Sequence, residues 1–469
     1  MPSKPTRRIF LFFLALILSY PLRIVAASED SPPPKPDIIL FSVDTLRADH
    51  LSCYGYGKPT SPFIDSFRGE AVLFRNAISQ SAHTAPSHMS IFTAFMPDVH
   101  GVTNFTGAEK LKLAPESPSL AEILRNNGYM TVGLHGGGNV NAGLGFDRGF
   151  DCYQDVFKLQ TSEPGKLPPE VGEWLDRSRA AGKPLFLFLH HYFCHVPYIH
   201  GPRELRCAFL ENPVPGLPTR PEDLTDLQRK KNVEFWKLVD MSDPRHREHL
   251  LALYDGGILV ADHIFKEIAE LLKEKGCYDK SLIVLTSDHG EEFYEHSSQG
   301  HGSLFIEHLH VPLLVKFPGG EYAGRQIDQR VRLVDLLPSI CEAVGVGTPP
   351  EIQGISLLSL LRGGGTYDPL IVSHHVGAEY QLRFYSDGYV YSNMADEDTV
   401  DWLFDPVKDP REQINLAGQK PEIVKKMRLL AGQVEQEKHK YAGSARPGFT
   451  PPPPGKELLK QLRSLGYVK

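Results

Sequence analysis

DIILFSVD, residues 37–44, decides the fold. It is a run of β-branched and large apolar residues that ends on an aspartate. A strand with one wet face would alternate polar and apolar positions. This one does not, so it predicts a strand buried on both faces, in a parallel or mixed sheet covered by helices. The same shape recurs in MTVGLHG near 130, PLFLFLHHYFCH near 184, SLIVLTSDHG near 281 and VPLLVKFP near 311. Helical patterns lie between these runs. PESPSLAEILRNNGY has Ser119 and Glu122 near its start and Gly128 at its end, and LLALYDGGILVADHIFKEIAELLKEKG ends in a basic turn and Gly276. LVDLLPSICEAVGV, 333–346, is a further helix. Strand and helix in alternation predict an α/β fold, a central, mostly parallel (mixed) sheet sandwiched by helices. Its polar chemistry belongs beyond the carboxyl ends of the strands.

After a glycine cluster at 363–365 the pattern changes. PLIVSHHV, YQLRFYSDGYVYS and VDWLFDP alternate, and Ser386-Asp387-Gly388 is a hairpin signal. They predict a small antiparallel sheet, followed by the helix PEIVKKMRLLAGQVEQEKHKY, an extended FTPPPPGKE connector and a short terminal helix in KELLKQLRSLGYVK. At the other end, Lys4, Arg7 and Arg8 precede IFLFFLALILSY, an apolar run of about a dozen residues, too short to span a bilayer comfortably. With Val25-Ala26-Ala27 as a cleavage site, this is the pattern of a secretory signal peptide. The expected organisation is a signal peptide over 1–27, a linker over 28–36, a catalytic α/β domain over 37–362 and a small α+β subdomain over 366–469. The protein is expected to be exported, to the periplasm, cell envelope or medium, and to meet a membrane only if the N-terminal segment stays uncleaved. A formal net charge of -7 without a long basic run excludes a nucleic-acid binder. The six cysteines form no CxxC pair, which excludes a zinc ribbon; export permits disulfides, in any of fifteen full pairings among which the sequence does not choose, and plain buried thiols are the alternative.

Three strand ends carry unusual polar groups: Asp44 in FSVDTLRAD, Asp288-His289 in LTSDHGEEF and His195 in HHYFCHVPY. A buried carboxylate needs a partner or a cation, and two carboxylates with an imidazole make a divalent-metal set. SAHTAPSHMS, 81–90, opens another helix, with Pro86 in its first turn. Thr84 then lies at an N-terminus, where free N–H groups favour negative charge. A hydroxyl there, touching a metal, can lose its proton and attack an ester; the plainer reading is a threonine N-cap. His190 and His191 alternate on one strand, so at most one faces the site. Cys194, His308 and His310 read as structural, and Glu291, Glu292 and His296 as solvated. Arg47 and Asp49 read equally as support for the metal or as a simple salt bridge.

Several separated stretches, in order, resemble the sulfatase family of the alkaline phosphatase superfamily: DIILFSVDTLRADHLSCYGYGKPTSPFIDSF, TAPSHMSIFTAFMPDVHGV, SDHGEEFYEHSSQGHGSLFIEHLHVPLLVKFPG and WLFDPVKDPREQINLA. The resemblance implies one divalent cation held by Asp44, Asp288 and His289, with Thr84 as nucleophile touching it. It implies that His195, in HVPY, contacts the ester or leaving group. His301, where many sulfatases have the lysine of Gly-Lys, takes a cationic catalytic role. Three departures matter. Thr84-Ala85-Pro86-Ser87-His88 stands where sulfatases carry C/S-x-P-x-R. The threonine carbinol carbon bears a methyl group, so no formylglycine is expected, and His88 replaces the arginine. Thr45 stands where many sulfatases have a second aspartate, which favours Mn²⁺ or Zn²⁺, with Ca²⁺ or Mg²⁺ admitted. The family's Lys-x-His is missing, and His135 is the residue nearest its place; His88 and His135 are the expected substrate-binding residues.

Threonine nucleophiles in the wider superfamily belong to enzymes that act at phosphorus, such as nucleotide pyrophosphatase/phosphodiesterases and phosphoethanolamine transferases. The reading is therefore an exported metal-dependent ester hydrolase or phosphotransferase, cleaving phosphate, phosphodiester or phosphonate esters of a small molecule, lipid headgroup or glycan through Thr84. The alternatives are a sulfatase for sulfated glycans or aryl sulfates working without formylglycine, and an inactive glycan- or headgroup-binding pseudoenzyme. Oligomeric state is not assigned.

Overall fold

The computed structural model describes residues 35–102, 113–114, 117–157, 165–230, 232–363, 367–376, 380–393 and 401–441. The signal peptide, most of the linker, the proline-rich connector and the terminal helix lie outside the described residues.

In chain order the strands are β1 (Ile38–Val43), β2 (Val72–Ile78), β3 (Met130–His135), β4 (Cys152–Asp155), β5 (Leu185–His191), β6 (Leu282–Thr286), β7 (Glu292–Phe293), β8 (Gln299–Gly300), β9 (His310–Lys316), β10 (Gln326–Arg332), β11 (Val372–Val376), β12 (Tyr380–Ser386), β13 (Tyr389–Ser392) and β14 (Trp402–Phe404). Eight of them form the main sheet, in the order β10-β2-β9-β6-β1-β5-β3-β4. β9 runs against its neighbours β2 and β6, and every other pairing is parallel. The mixed sheet expected from the apolar runs is thus present.

β1 lies at the centre, with Ile38 opposite Phe186 of β5 and Leu282 of β6. All six of its residues are buried because each face has its own core. Ile38 and Leu40 pack with the helix Thr84–Thr93 and the helix Leu336–Ala343 on one side. Ile39, Phe41 and Val43 pack with the long helix Pro244–Glu274 on the other. A strand between two apolar layers has no polar face to show, which is why DIILFSV does not alternate.

The last four strands form an antiparallel sheet, with the Asp387-Gly388 turn joining β12 to β13 at positive φ for both residues. Val372, Leu382, Phe384, Tyr391 and Leu403 pack with Val424 and Met427 of the helix Pro421–Glu437. The sheet is tied to the main one: the His374 amide donates to the Gln80 carbonyl at 2.8 Å, and Arg383 donates to the Leu304 carbonyl at 2.7 Å while pairing with Glu412. The six cysteines are all unpaired thiols, four of them buried.

Candidate active site

The carboxyl ends of β1, β5 and β6 converge with the start of the helix that follows β2. Asp44 is the first residue after β1, and Asp288 and His289 follow β6; all three are fully buried. One ligand atom from each lies within 4.8 Å of the others. Asp44 Oδ1 and Asp288 Oδ2 have no hydrogen-bond partner. Burial first, then the charges of Asp288 and Glu291, push the Asp44 carboxyl well above the usual range. Burial also raises Asp288, against the opposing pull of His88. Two buried carboxylates facing each other, each with an orphaned oxygen, are costly unless a cation lies between them. His289 adds a nitrogen: its Nδ1 is engaged with the Gly290 carbonyl at 2.9 Å, which presents Nε2 to the carboxylates. The donor set suits a divalent cation.

Thr84 is the first residue of its ten-residue helix, and its Oγ1 lies 3.3 Å from His289 Nε2. The N-cap position is His83, whose side chain makes no capping bond. Thr84 is therefore not the cap that its residue type suggests, and its hydroxyl points at the metal set. Ser87 anchors the helix by donating to the Asp288 carbonyl at 2.7 Å. His88, one turn on, has Nδ1 3.0 Å from the Thr84 carbonyl and 3.5 Å from Asp288 Oδ2, and Nε2 2.9 Å from Ser42 Oγ. Both its nitrogens are engaged by the protein, which makes it a support for Thr84 and Asp288 rather than a substrate contact.

His195 and His301 close over this centre. Their rings lie 5.1 Å apart, and His301 lies 4.6 Å from the His289 ring. His195 Nδ1 is 2.8 Å from the Val196 carbonyl, and His301 Nδ1 is 3.1 Å from Glu291 Oε1. His135 ends β3, accepts the Gly137 amide at 2.9 Å and lies over the Tyr153 ring at 4.3 Å; burial pushes it down to about 3.

Other residues enter that the sequence left open, read differently or did not mark. Of the β5 pair, His190 faces the site, with Nε2 3.2 Å from Asp44 Oδ2, while His191 packs among Phe41, Phe157 and Phe193. Glu291 and Glu292 are fully buried, which overturns their reading as solvated. Arg47 pairs with Asp49 at 2.8 Å and Glu295 at 2.6 Å, the salt-bridge alternative. His83 lies 5.2 Å, ring to ring, from His375 of the small sheet, a pairing of distant segments with no local signal.

A hydroxyl at a helix N-terminus, beside carboxylates that lack a counter-charge, is equipped to attack an anionic ester, and the sheet that carries it is of the alkaline phosphatase class. The chain belongs to the sulfatase family: the family model described as Sulfatase matches residues 36–346. A second model, N-sulphoglucosamine sulphohydrolase, C-terminal, matches residues 295–440. Arylsulfatase K of Xenopus laevis is 27% identical, over 86% of this chain and 83% of its own. The Delta 4,5-hexuronate-2-O-sulfatase of Bacteroides thetaiotaomicron is 23% identical, over 82% and 85%. Among solved structures, the phosphonate monoester hydrolase of Agrobacterium radiobacter superposes with a TM-score of 0.66 at 19% identity, over 87% of this chain and 96% of that one. The protein is a sulfatase-family hydrolase of ester bonds.

Proposed function

We propose that the protein is an exported phosphoric or phosphonic ester hydrolase, dependent on one divalent cation, in which Thr84 is the nucleophile. The observation that carries this reading is the Thr84 hydroxyl itself. It stands at the first residue of its helix, 3.3 Å from His289 Nε2 and beside two orphaned carboxylate oxygens, and its side chain cannot become formylglycine. Asp44, Asp288 and His289 would hold the cation, with Thr84 facing it; Mn²⁺ or Zn²⁺ suits this mixed oxygen and nitrogen set. A bound cation would lower the pKa of the Thr84 hydroxyl and offset charge on the ester oxygens.

The chain's own residues supply the rest. Thr84 opens its helix, so the positive end of the helix dipole would face an anionic ester there. His88 and Ser87 hold its first turn against Asp288. His195 and His301 border the centre, positioned to offset charge on the ester and to move a proton at the leaving oxygen. The ester formed on Thr84 then passes to water or to an acceptor alcohol. The relatives named as sulfatases favour a second reading, hydrolysis of sulfate esters of aryl or glycan substrates by unmodified Thr84. Among the described residues no helix is long and apolar enough to cross a membrane, and export rests on the N-terminal sequence pattern.

Initial rates on bis(4-nitrophenyl) phosphate, 4-nitrophenyl phenylphosphonate and 4-nitrophenyl sulfate, with Mn²⁺- or Zn²⁺-loaded protein, test this. Turnover of the phosphorus esters is expected to fall by about 10³-fold or more in Thr84→Ala. Turnover of the sulfate alone would replace the first reading by the second. Activity that survives Thr84→Ala would remove Thr84 from the chemistry.

A further inference from the structure

Two asparagines in the loop after β3 are used in opposite ways. Asn141 holds the loop together: its Nδ2 donates to the Gly138 carbonyl, and its Oδ1 accepts the Gly143 amide at 2.7 Å. Asn139 is 0% exposed, yet neither its Oδ1 nor its Nδ2 has a hydrogen-bond partner. A buried side-chain amide with both ends unmet is costly to keep, and calls for a use.

The backbone that carries Asn139 is pinned. Gly136 lies flat against Tyr192, where a Cβ would come within 2.8 Å of the ring. The Tyr192 hydroxyl donates to the Gly137 carbonyl at 3.1 Å and accepts the Asn139 amide at 3.2 Å. The Val140 carbonyl accepts from the Tyr153 hydroxyl, and the Val140 side chain joins the core that holds Ala85 and Met89. The segment Gly138–Val140 thus packs on the helix that Thr84 opens. Tyr192, which clamps it from the other side, stands edge-on to His190 at 4.7 Å and to His195 at 5.5 Å. Asn139 therefore belongs to a loop held between the helix of Thr84 and the histidines at the end of β5. Thr84, His195 and the metal set are 0% exposed as well, so burial does not separate Asn139 from the groups that meet the ester.

A rigid backbone with an unmet polar head is the form of a recognition group. The amide offers one donor and one acceptor side by side. A non-bridging oxygen of the ester answers only the donor, and an alkyl chain answers neither. Two adjacent hydroxyls answer both. We infer that Asn139 is a substrate-binding residue that selects esters whose leaving alcohol carries a vicinal diol, as a glycerol or sugar ester does. The inference rests on the reading of the Thr84 centre as the ester site. One hydroxyl donates to Oδ1 and its neighbour accepts from Nδ2. No bond of the ester is made or broken there. An ester of a simple alcohol leaves the amide unmet, and is discriminated against for that reason.

A pair of esters tests this without turnover. 2,3-Dihydroxypropyl phenylphosphonate and propyl phenylphosphonate share an acid and a chain length and differ only in the diol. Calorimetric titration into Mn²⁺-loaded Thr84→Ala protein should show the diol ester bound about 10–100-fold more tightly. Adding Asn139→Ala should bring that ratio to about one. Equal binding of the two esters, binding of neither, or a ratio that survives Asn139→Ala would overturn the assignment. A preference that depends on Asn139 while turnover survives Thr84→Ala would uphold it and remove only the nucleophile reading. Melts of the metal-free protein give a readout independent of any ligand. Of Asn139→Leu and Asn139→Ala, the better packed should melt within about 2 °C of the wild type. A larger fall in both would make the amide a support of the fold and sink the inference.

Discussion

Asp44 and Asp288 each bring a buried oxygen without a hydrogen-bond partner. Their mutual repulsion has a thermodynamic sign. The Asp44 carboxyl is raised, so its contribution to stability is full below its unfolded pKa and lost as pH rises through its folded one. Metal-free protein is therefore strained at neutral pH, and Asp44→Asn should raise its melting temperature by about 1–2 °C. The same variant should no longer gain stability from Mn²⁺ or Zn²⁺, as read by thermal melts with and without a chelator. A variant that melts lower when metal-free, or still responds to metal, would refute the site. The residues gathered here were legible where chemistry conflicts with a buried setting: an aspartate ending an apolar strand, or Asp-His after another. Glu291 was not legible. Two glutamates before Phe293 look like surface, and their burial comes with the β7–β8 pairing, with His301 against Glu291, and with His308 and the His296 amide against Glu292, which sequence order does not place. His190 was half legible, since alternation shows that one of two histidines faces inward but not which.

At the scale of elements, the long helix Pro244–Glu274 supports the site without touching the nucleophile. A Cβ on Gly256 would lie 1.9 Å from the Arg206 carbonyl oxygen, and one on Gly257 would lie 2.5 Å from that of Phe193. These glycines let the segment after β5 lie directly on the helix. Gly257→Ala should push Phe193, and with it His195, outward. Overpacking of this kind costs about 1–3 kcal/mol, so the urea midpoint should fall and kcat with it. An unchanged midpoint would show that the backbone accommodates the methyl group. The apolar runs of β1, β3, β5, β6 and β9 were readable because burial on both faces removes alternation. β4 and β10 were not. They are the outer strands, their residues are partly exposed, and CYQD and QIDQRVR carry the polar groups an edge tolerates. β2 hides behind Arg75 and Asn76, which face outward beside the bulge in its pairing with β9.

For the whole molecule, the small sheet and the loop that bears His301 share one buried ion pair. Arg383 pairs with Glu412, whose Oε2 also accepts the Ile306 amide at 3.2 Å. Removing one partner strands the other, so Glu412→Ala should cost about 3–5 kcal/mol, read by urea unfolding; a loss under about 1 kcal/mol, the range of an exposed pair, would contradict it. Acid should unfold the protein for a different reason. Burial holds His100, His135, His191 and His200 down at about 3. With folded values depressed, the unfolded chain binds protons first as pH falls below about 6.5, and stability is lost through that window. These and the other depressed histidines outnumber the raised carboxyls Asp44, Asp262, Asp288 and Glu291, which act in the opposite sense. The urea midpoint should drop steadily from pH 7.5 to 5, and a flat profile would show that the imidazoles titrate normally. The unpaired sulfurs of Cys53, Cys152, Cys194, Cys207, Cys277 and Cys341 bear on how the protein can be made. No covalent cross-link has to form before the chain reaches its final shape. Refolding from denaturant should proceed equally well with or without a glutathione buffer, and a reducing cytosol should yield the same molecule as an oxidising envelope, which opens the protein to substrate screens inside an ordinary laboratory host.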